Sequence, residues 1–340
     1  MKNTALYILL SLTLNSVSQN KLLIKEIEEN KVFRFPIIKC LDSIVSKKIN
    51  YYLQISELGL LIEKKQKTPF ENLSFLYQNG RLNCFENMNY IIINNTANCL
   101  SLSLNIGNRN VCPNQISYYN YYNFNPKTGD RYFLKDFFSK EHFEEFQKIV
   151  TQKRIDNFHK HNLKNSGERI SCDRYFDSIR KDYLNNFYII KDSIYFDDKY
   201  LNSFCSRDFA FNLTTSISIK SIKPLLNEYG LSALVTGKQL NKYSSEPLYQ
   251  VLEGSTENGD KFHFIISKTG YRNEYGCKTE IAPSNFTYIY GFLNENNLTL
   301  SERDLNNNII SNIQINISTT PLSGIWTKEN QNIKFNLIRK

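Results

Sequence analysis

Hydrophobic positions change their spacing twice along this chain. At Phe33-Arg34-Phe35-Pro36-Ile37-Ile38 they are almost continuous, the pattern of a short strand. From 43 to 57 they fall at helical spacing, with Ile44, Val45, Ile49 and Leu53 as the apolar set. Asp42 stands where an N-cap acceptor is needed. The segment ahead of this, Lys25-Glu26-Ile27-Glu28-Glu29, is charged and receives no element. Weakly alternating runs at 73–79, 86–94 and 100–106 predict strands separated by Asn/Gly turns.

The stretch YYNFNPKTGDRYFLKDFF, residues 121–138, predicts a hairpin. Pro126 presets φ for a turn and Gly129 supplies the positive φ that closes it. Tyr122, Phe124, Tyr132 and Leu134 are expected to share one face. Ser139 then caps a helix over 140–162, with Phe143, Phe146, Ile149, Val150 and Phe158 on one side. A second helix is expected at 173–185, strands at 187–191, 193–196 and 213–220, and a short helical piece at 222–229.

Beyond about residue 245 the helical period disappears. Strand-like runs recur at 248–252, 261–267, 287–293, 298–302, 309–317, 324–327 and 333–338, separated by turn signals such as Asn258-Gly259. The expected fold class is therefore α+β. An antiparallel sheet packed with helices (19–235) precedes a small all-β domain (245–340), a meander curled into a barrel or sandwich. Residues 230–245 read as the linker.

The first residues alter the cellular picture. Lys2 is a short positive region, Ala5 to Leu14 is apolar but too short to span a bilayer, and Ser16-Val17-Ser18 offers small residues for cleavage. A signal peptide over 1–18 is expected, with a secreted or periplasmic product. No later run has the length of a transmembrane anchor. Without Lys2 the chain carries 41 basic and 33 acidic residues, a net of +8, which suits weak attraction to an anionic surface. A hydrophobic fraction of 41% in 340 residues excludes a disordered chain. Tyr, Phe, Asn, Lys and Ile share A/T-rich codons, so genome composition explains part of the basic excess.

Seven cysteines are present, and none forms a CxxC pair, so zinc is not expected. In an oxidising compartment Cys99 with Cys112 is the first disulfide candidate and Cys172 with Cys205 the second. The odd number leaves at least one thiol without a partner in the chain.

Three ordered matches carry a resemblance. They are Phe35-Pro36-Ile37-Ile38 with a following helix containing Lys48-Ile49-Asn50; Asn123 to Asp130 with Leu134-Lys135-Asp136-Phe137-Phe138; and Ser218-Ile219-Lys220-Ser221-Ile222-Lys223-Pro224-Leu225-Leu226. Over residues 30–230 the chain resembles the paired extracellular domains of unknown function found in the lysozyme-sensing anti-sigma factor and beside a peptidoglycan deacetylase catalytic domain. The resemblance implies an α+β fold with a helix-covered antiparallel sheet, and it brings lysozyme in as one partner. It does not imply an enzyme. Between Tyr195 and Phe211 the chain departs from the pattern, carrying Asp197-Asp198-Lys199-Tyr200 and Cys205 in place of a Pro- and Gly-containing loop.

Chemical motifs are few. GxSxG, HExxH and phosphate-binding Gly loops are missing from the sequence. His159 and His161 lie two apart on a helix, pointing about 200° away from each other, and read as solvated. Asp197-Asp198 reads as a turn. The block Tyr118-Tyr119-Asn120-Tyr121-Tyr122 is either half core and half sheet surface or a stacking platform for sugar rings. The candidate binding residues are Tyr119 and Tyr121 with Lys127 and Asp130 of the adjoining turn. No catalytic residue, metal or cofactor is assigned, and no nucleic-acid partner is expected. The expected function is non-catalytic binding at a bacterial cell envelope, to a polysaccharide, an anionic polymer or a protein. The alternative is an envelope-acting hydrolase or deacetylase. Net positive charge ranks a basic lysozyme below an anionic polymer.

Overall fold

The structure is a computed structural model that describes residues 22–29, 31–64, 85–108, 118–164, 184, 186–197, 214–237, 250–268, 274–280, 288–304, 306–329 and 331–339. The strand expected at 73–79 and, apart from Leu184, the helix expected at 173–185 lie outside the described residues. What is described is an α+β assembly followed by a closed eight-stranded β-barrel.

The first sheet has the order β1 (Leu23–Glu29), β2 (Phe33–Lys39), β3 (Phe85–Asn95), β4 (Leu100–Asn108) and β5 (Tyr118–Phe124). All neighbours are antiparallel except β2 and β3, which run parallel. Helix α1 (Ser43–Leu53) lies between those two in the chain and packs on β2. Asp42 caps it as expected, its carboxylate accepting from Ile44 N and Val45 N. The helix widens into a π turn, Gln54–Leu58, and stops at Gly59 with φ 62°. Val45, Ile49 and Leu53 are buried, but Ile44 is 65% exposed. Adjacent helical residues point about 100° apart, so only one of Ile44 and Val45 can face the core.

The charged segment 25–29 is part of β1. It is an edge strand whose Glu26 pairs with Arg34 of β2 at 2.7 Å. Carboxylates and lysines on an edge are compatible with pairing on one side only, which is why its charge hid it.

The hairpin turn forms as expected. Gly129 has φ 77°, its N–H donates to Asn125 O at 2.8 Å, and Asn125 N donates to Asp130 O at 2.8 Å. A Cβ at Gly129 would sit 2.9 Å from Val45 O, so the turn also rests directly on α1. The second arm differs from expectation. It makes a single bridge, Phe124 to Arg131, and then coils into a 3-10 turn, Leu134–Phe137. Tyr122 and Phe124 enter the core under α1, whereas Tyr132 and Leu134 enter a second core. The four residues thus serve two cores and do not share one face.

That second core lies between α2 (Lys140–Lys164) and a three-stranded sheet, β6 (Phe187–Ile190), β7 (Ser193–Asp197) and β8 (Thr214–Ser218). Phe146 and Val150 of α2 meet Phe187, Ile194, Phe196 and Ile217 there. Ile149 is 40% exposed, whereas Arg154 is buried, its guanidinium 5.4 Å from the Phe196 ring centroid. Short helices α3 (Ile219–Ile222) and α4 (Glu228–Leu231) follow. Residues 230–236, read as linker, are helical, and Ala233 joins the second core.

The barrel runs β9 (Val251–Thr256), β10 (Lys261–Lys268), β11 (Glu274–Thr279), β12 (Tyr288–Asn294), β13 (Asn297–Arg303), β14 (Ile309–Asn316), β15 (Leu322–Lys328) and β16 (Gln331–Arg339), and β16 pairs back to β9. The sequence pattern missed β11, whose apolar positions are only Tyr275 and Cys277. Alternate residues point inward, and Phe262, Phe264, Trp326 and Phe335 fill the lumen with edge-to-face and tilted contacts at 5.0–6.3 Å. Closure removes free strand edges from the all-β part. The barrel also shares a core with the rest of the chain. Val251 and Ile265, on its outer face, pack into the cluster under α1.

Candidate functional site

Strand β5 has two different faces because alternate residues point to opposite sides. Tyr122 and Phe124 face α1. The Tyr122 ring lies 4.8 Å from the Arg131 guanidinium, and its hydroxyl donates to Glu57. Tyr121 and Asn123 face the three-stranded sheet. Asn123 Nδ2 donates to Phe187 O at 2.7 Å, and Asn123 Oδ1 accepts from Ser101 Oγ at 2.6 Å. The Asn186 side chain docks on the β5 backbone, accepting from Tyr121 N and donating to Tyr119 O, each at 3.0 Å. These bonds fix β6 against the end of the first sheet.

The result is a file of three tyrosines crossing from one sheet to the other. The Tyr121 ring is 4.7 Å from Tyr188, tilted 39°. Tyr188 and Tyr195 are directly opposed across β6 and β7, with centroids 5.2 Å apart and planes within 4°. Both are half-buried. The next cross-strand position, on β8, is Ser216, too short to cover the far face of Tyr195. Buried Asp197 accepts from the Tyr121 hydroxyl at 2.8 Å. Burial, then Asp197, pushes the Tyr121 and Tyr188 phenols above their ordinary range. Both therefore remain protonated at neutral pH, as hydroxyl donors on flat apolar rings.

Of the four candidate residues, Tyr119 and Tyr121 lie on this side of β5. Lys127 and Asp130 lie past its other end, beyond Phe124, which five strand residues place about 17 Å from Tyr119. The Lys127 ammonium donates to Gly237 O at 2.5 Å. Asp130 sits between Lys48 and Arg339, 3.4 Å from each. These two residues tie the turn to α4's following segment, to α1 and to the barrel. The structure does not bring the four together. Tyr188 and Tyr195 were not singled out, because each stands only in a short aromatic pair, Phe187-Tyr188 and Tyr195-Phe196; only the strand pairing aligns them.

Asp197 is the last residue of β7 and is buried, not part of an exposed turn; Asp198 lies outside the described residues. Cys99 is a free, buried thiol whose Sγ is 3.3 Å from Ser101 Oγ. It faces the second core, so the Cys99–Cys112 bridge expected from loop length is not made. Burial pushes its thiol up to about 12. Cys112, Cys172 and Cys205 lie outside the described residues.

A second polar cluster lies where the barrel meets α1. His263 projects outward from β10, is 3% exposed, and sits edge-on to Tyr51 at 4.9 Å. Its Nδ1 is 2.8 Å from Glu280 Oε1, and its backbone N–H donates to Glu280 Oε2 at 3.1 Å. Its Nε2 is 3.6 Å from Glu253 Oε2. An imidazole flanked by two carboxylates is the kind of grouping acid–base chemistry uses. This one is buried, the side chains of His263 and Glu280 being 4% and 3% exposed. Among the described residues, no group of three or more His, Cys, Asp or Glu is arranged to hold a metal. No described helix is long and apolar enough to cross a membrane.

No protein-family model matches the chain, and no curated protein matches it. Among solved structures, the chain is similar to a crystal structure of a member of the DUF3298 family from Bacteroides fragilis. The identity is 12% and the TM-score 0.46, and the match covers 65% of this chain and 99% of that one.

Proposed function

We propose that this is a secreted or periplasmic, non-catalytic binding protein of the bacterial cell envelope, and that the tyrosine file is where it meets a saccharide-bearing polymer. The observation that carries this reading is the stacked, half-buried pair Tyr188 and Tyr195, backed by the buried, tilted Tyr121 that Asp197 holds. Pyranose rings present an apolar C–H face and a rim of hydroxyls. A rigid phenol ring matches the first, and its O–H matches the second. The leader-like segment 1–18 and the resemblance to extracellular domains support the location.

The test is sedimentation of the mature chain with purified cell-wall sacculi, alongside Tyr188→Ala, Tyr195→Ala and Tyr195→Phe. Losing one stacking ring is expected to weaken binding by about five- to tenfold. Tyr195→Phe, which keeps the ring, is expected to retain most of it. Full binding by a folded Tyr188→Ala/Tyr195→Ala double variant would refute the assignment. Turnover of envelope sugars abolished by one point substitution would move the protein to the hydrolase class.

A further inference from the structure

The outer face of the barrel over β13–β16 carries an ordered array of side chains, most of them polar and uncharged. Strand register aligns them in rows. One row is Thr299, Gln314, Ile325 and Lys334, each directly opposite the next. Two residues along, a parallel row is Asn297, Asn316, Ser323, Asn336 and, across the closing seam, Ser255. Both rows line one groove of about 790 Å³. Thr299, Gln314, Lys334, Asn336 and Ser255 are exposed. Asn316 is committed to the turn that follows it, accepting from Ser318 N and Oγ.

We infer that this groove is a second ligand seat, for a neutral, extended saccharide laid across the strands. Three observations select that class. The lining is dominated by amides and hydroxyls, which donate and accept and so suit a ligand whose rim is all hydroxyl. Its charges are one lysine, Lys334, and one acid, Glu257, so it lacks the cationic cluster that a phosphate-bearing polymer requires. Ile325, 38% exposed in the middle of the first row, provides the apolar patch that a pyranose C–H face needs. The spacing also fits. Neighbouring strands lie about 4.8 Å apart, close to the length of one sugar unit, so successive units meet successive strands. Four strands span about 14 Å between the first and last.

This seat is separate from the tyrosine file, and the experiment distinguishes them. Calorimetric titration of the mature chain uses cello-, malto- and chito-hexaose as neutral probes and inorganic polyphosphate as the anionic one. Amide NMR shifts map the contact. At least one hexaose is expected to bind, shifting amides of β13–β16, with an affinity little changed by added salt. Gln314→Ala/Asn336→Ala, at exposed positions that leave the barrel core intact, is expected to weaken it by tenfold or more and to remove the β13–β16 shifts, and Lys220→Ala, exposed and on neither face, is expected to leave both unchanged. Hexaose binding that ignores the groove variant and is lost in Tyr188→Ala overturns this inference while upholding the tyrosine face. Failure of every hexaose to bind overturns it, as does polyphosphate binding that depends on Lys334.

Discussion

Replacing Asn123 by Ala should detach β6 from the first sheet. Asn123 is 1% exposed and Ser101 is fully buried, and the two sheets are stitched together through them. Asn123 bonds Ser101 Oγ and Phe187 O, and Ser101 Oγ in turn accepts from Ile189 N at 3.3 Å. Alanine leaves the Phe187 carbonyl and the Ser101 hydroxyl without that partner in a dry core. Each of the two stranded groups costs about 1–3 kcal/mol, so the loss is about 2–6 kcal/mol. Ser101→Ala strands a different pair, Asn123 Oδ1 and Ile189 N–H. The double variant leaves only the two backbone groups, so its cost should fall short of the sum by the two side-chain groups it removes, about 2 kcal/mol or more. Urea unfolding followed by circular dichroism measures all three, and hydrogen exchange should show Ile189 losing protection first. An Asn123→Ala loss below about 1 kcal/mol, with additive behaviour in the double variant, would refute the stitching argument.

Two further outcomes follow from local geometry. Cys99, with its thiol raised from an ordinary 9.0 to about 12 by burial, should resist iodoacetamide at pH 8 until the protein unfolds. Because the folded state holds that proton more tightly, the corresponding stability is present below about pH 9 and lost as pH rises towards 12; mass spectrometry and alkaline denaturation of Cys99→Ala check both. Gly291→Ala should break the barrel, since its Cβ would lie 1.8 Å from Thr299 O of the paired strand; loss of the cooperative transition in a thermal melt tests this, against a conservative Ile313→Val control expected to cost about 0.5–1.5 kcal/mol.

Local rules reached furthest where one residue decides one contact. The Asp42 cap and the Gly129 turn needed no tertiary information, and both form. Alternation also reached the barrel, because each strand buries one face in a single lumen. It failed where charge or a shortage of apolar residues masks the period, and where one hairpin serves two cores. β1 is an edge strand in charged clothing, and β11 has too few apolar residues to show a period. Tyr122 and Tyr132 look equivalent in sequence, yet a coil after Arg131 sends them to different cores. The site was legible only in part for the same reason. Tyr121 stood in an aromatic run, but Tyr188 and Tyr195 acquire meaning from pairing with each other and from a strand of another sheet.

The charge argument changes most once side chains are placed. A net of +8 outside residues 1–18 favoured an anionic partner, on the premise that the excess faces solvent as a field. Several of these cations, while keeping their charge, also donate to backbone carbonyls of the chain itself. Lys127 reaches Gly237 O, Lys153 reaches Ser216 O, Lys278 reaches Ser56 O and Arg303 reaches Asn307 O. Lys278 does so across the joint between the barrel and the π turn after α1, and Arg339 crosses the same joint to Asp130. Carbonyls left at turns and helix ends need donors, and a long cation supplies one at a distance that short polar residues cannot span. In this chain part of the basic excess is therefore structural: it closes turns and holds the barrel against α1. A ligand at the proposed tyrosine file or barrel groove would meet rings, hydroxyls and amides, so under that proposal shape and hydrogen bonding carry its recognition.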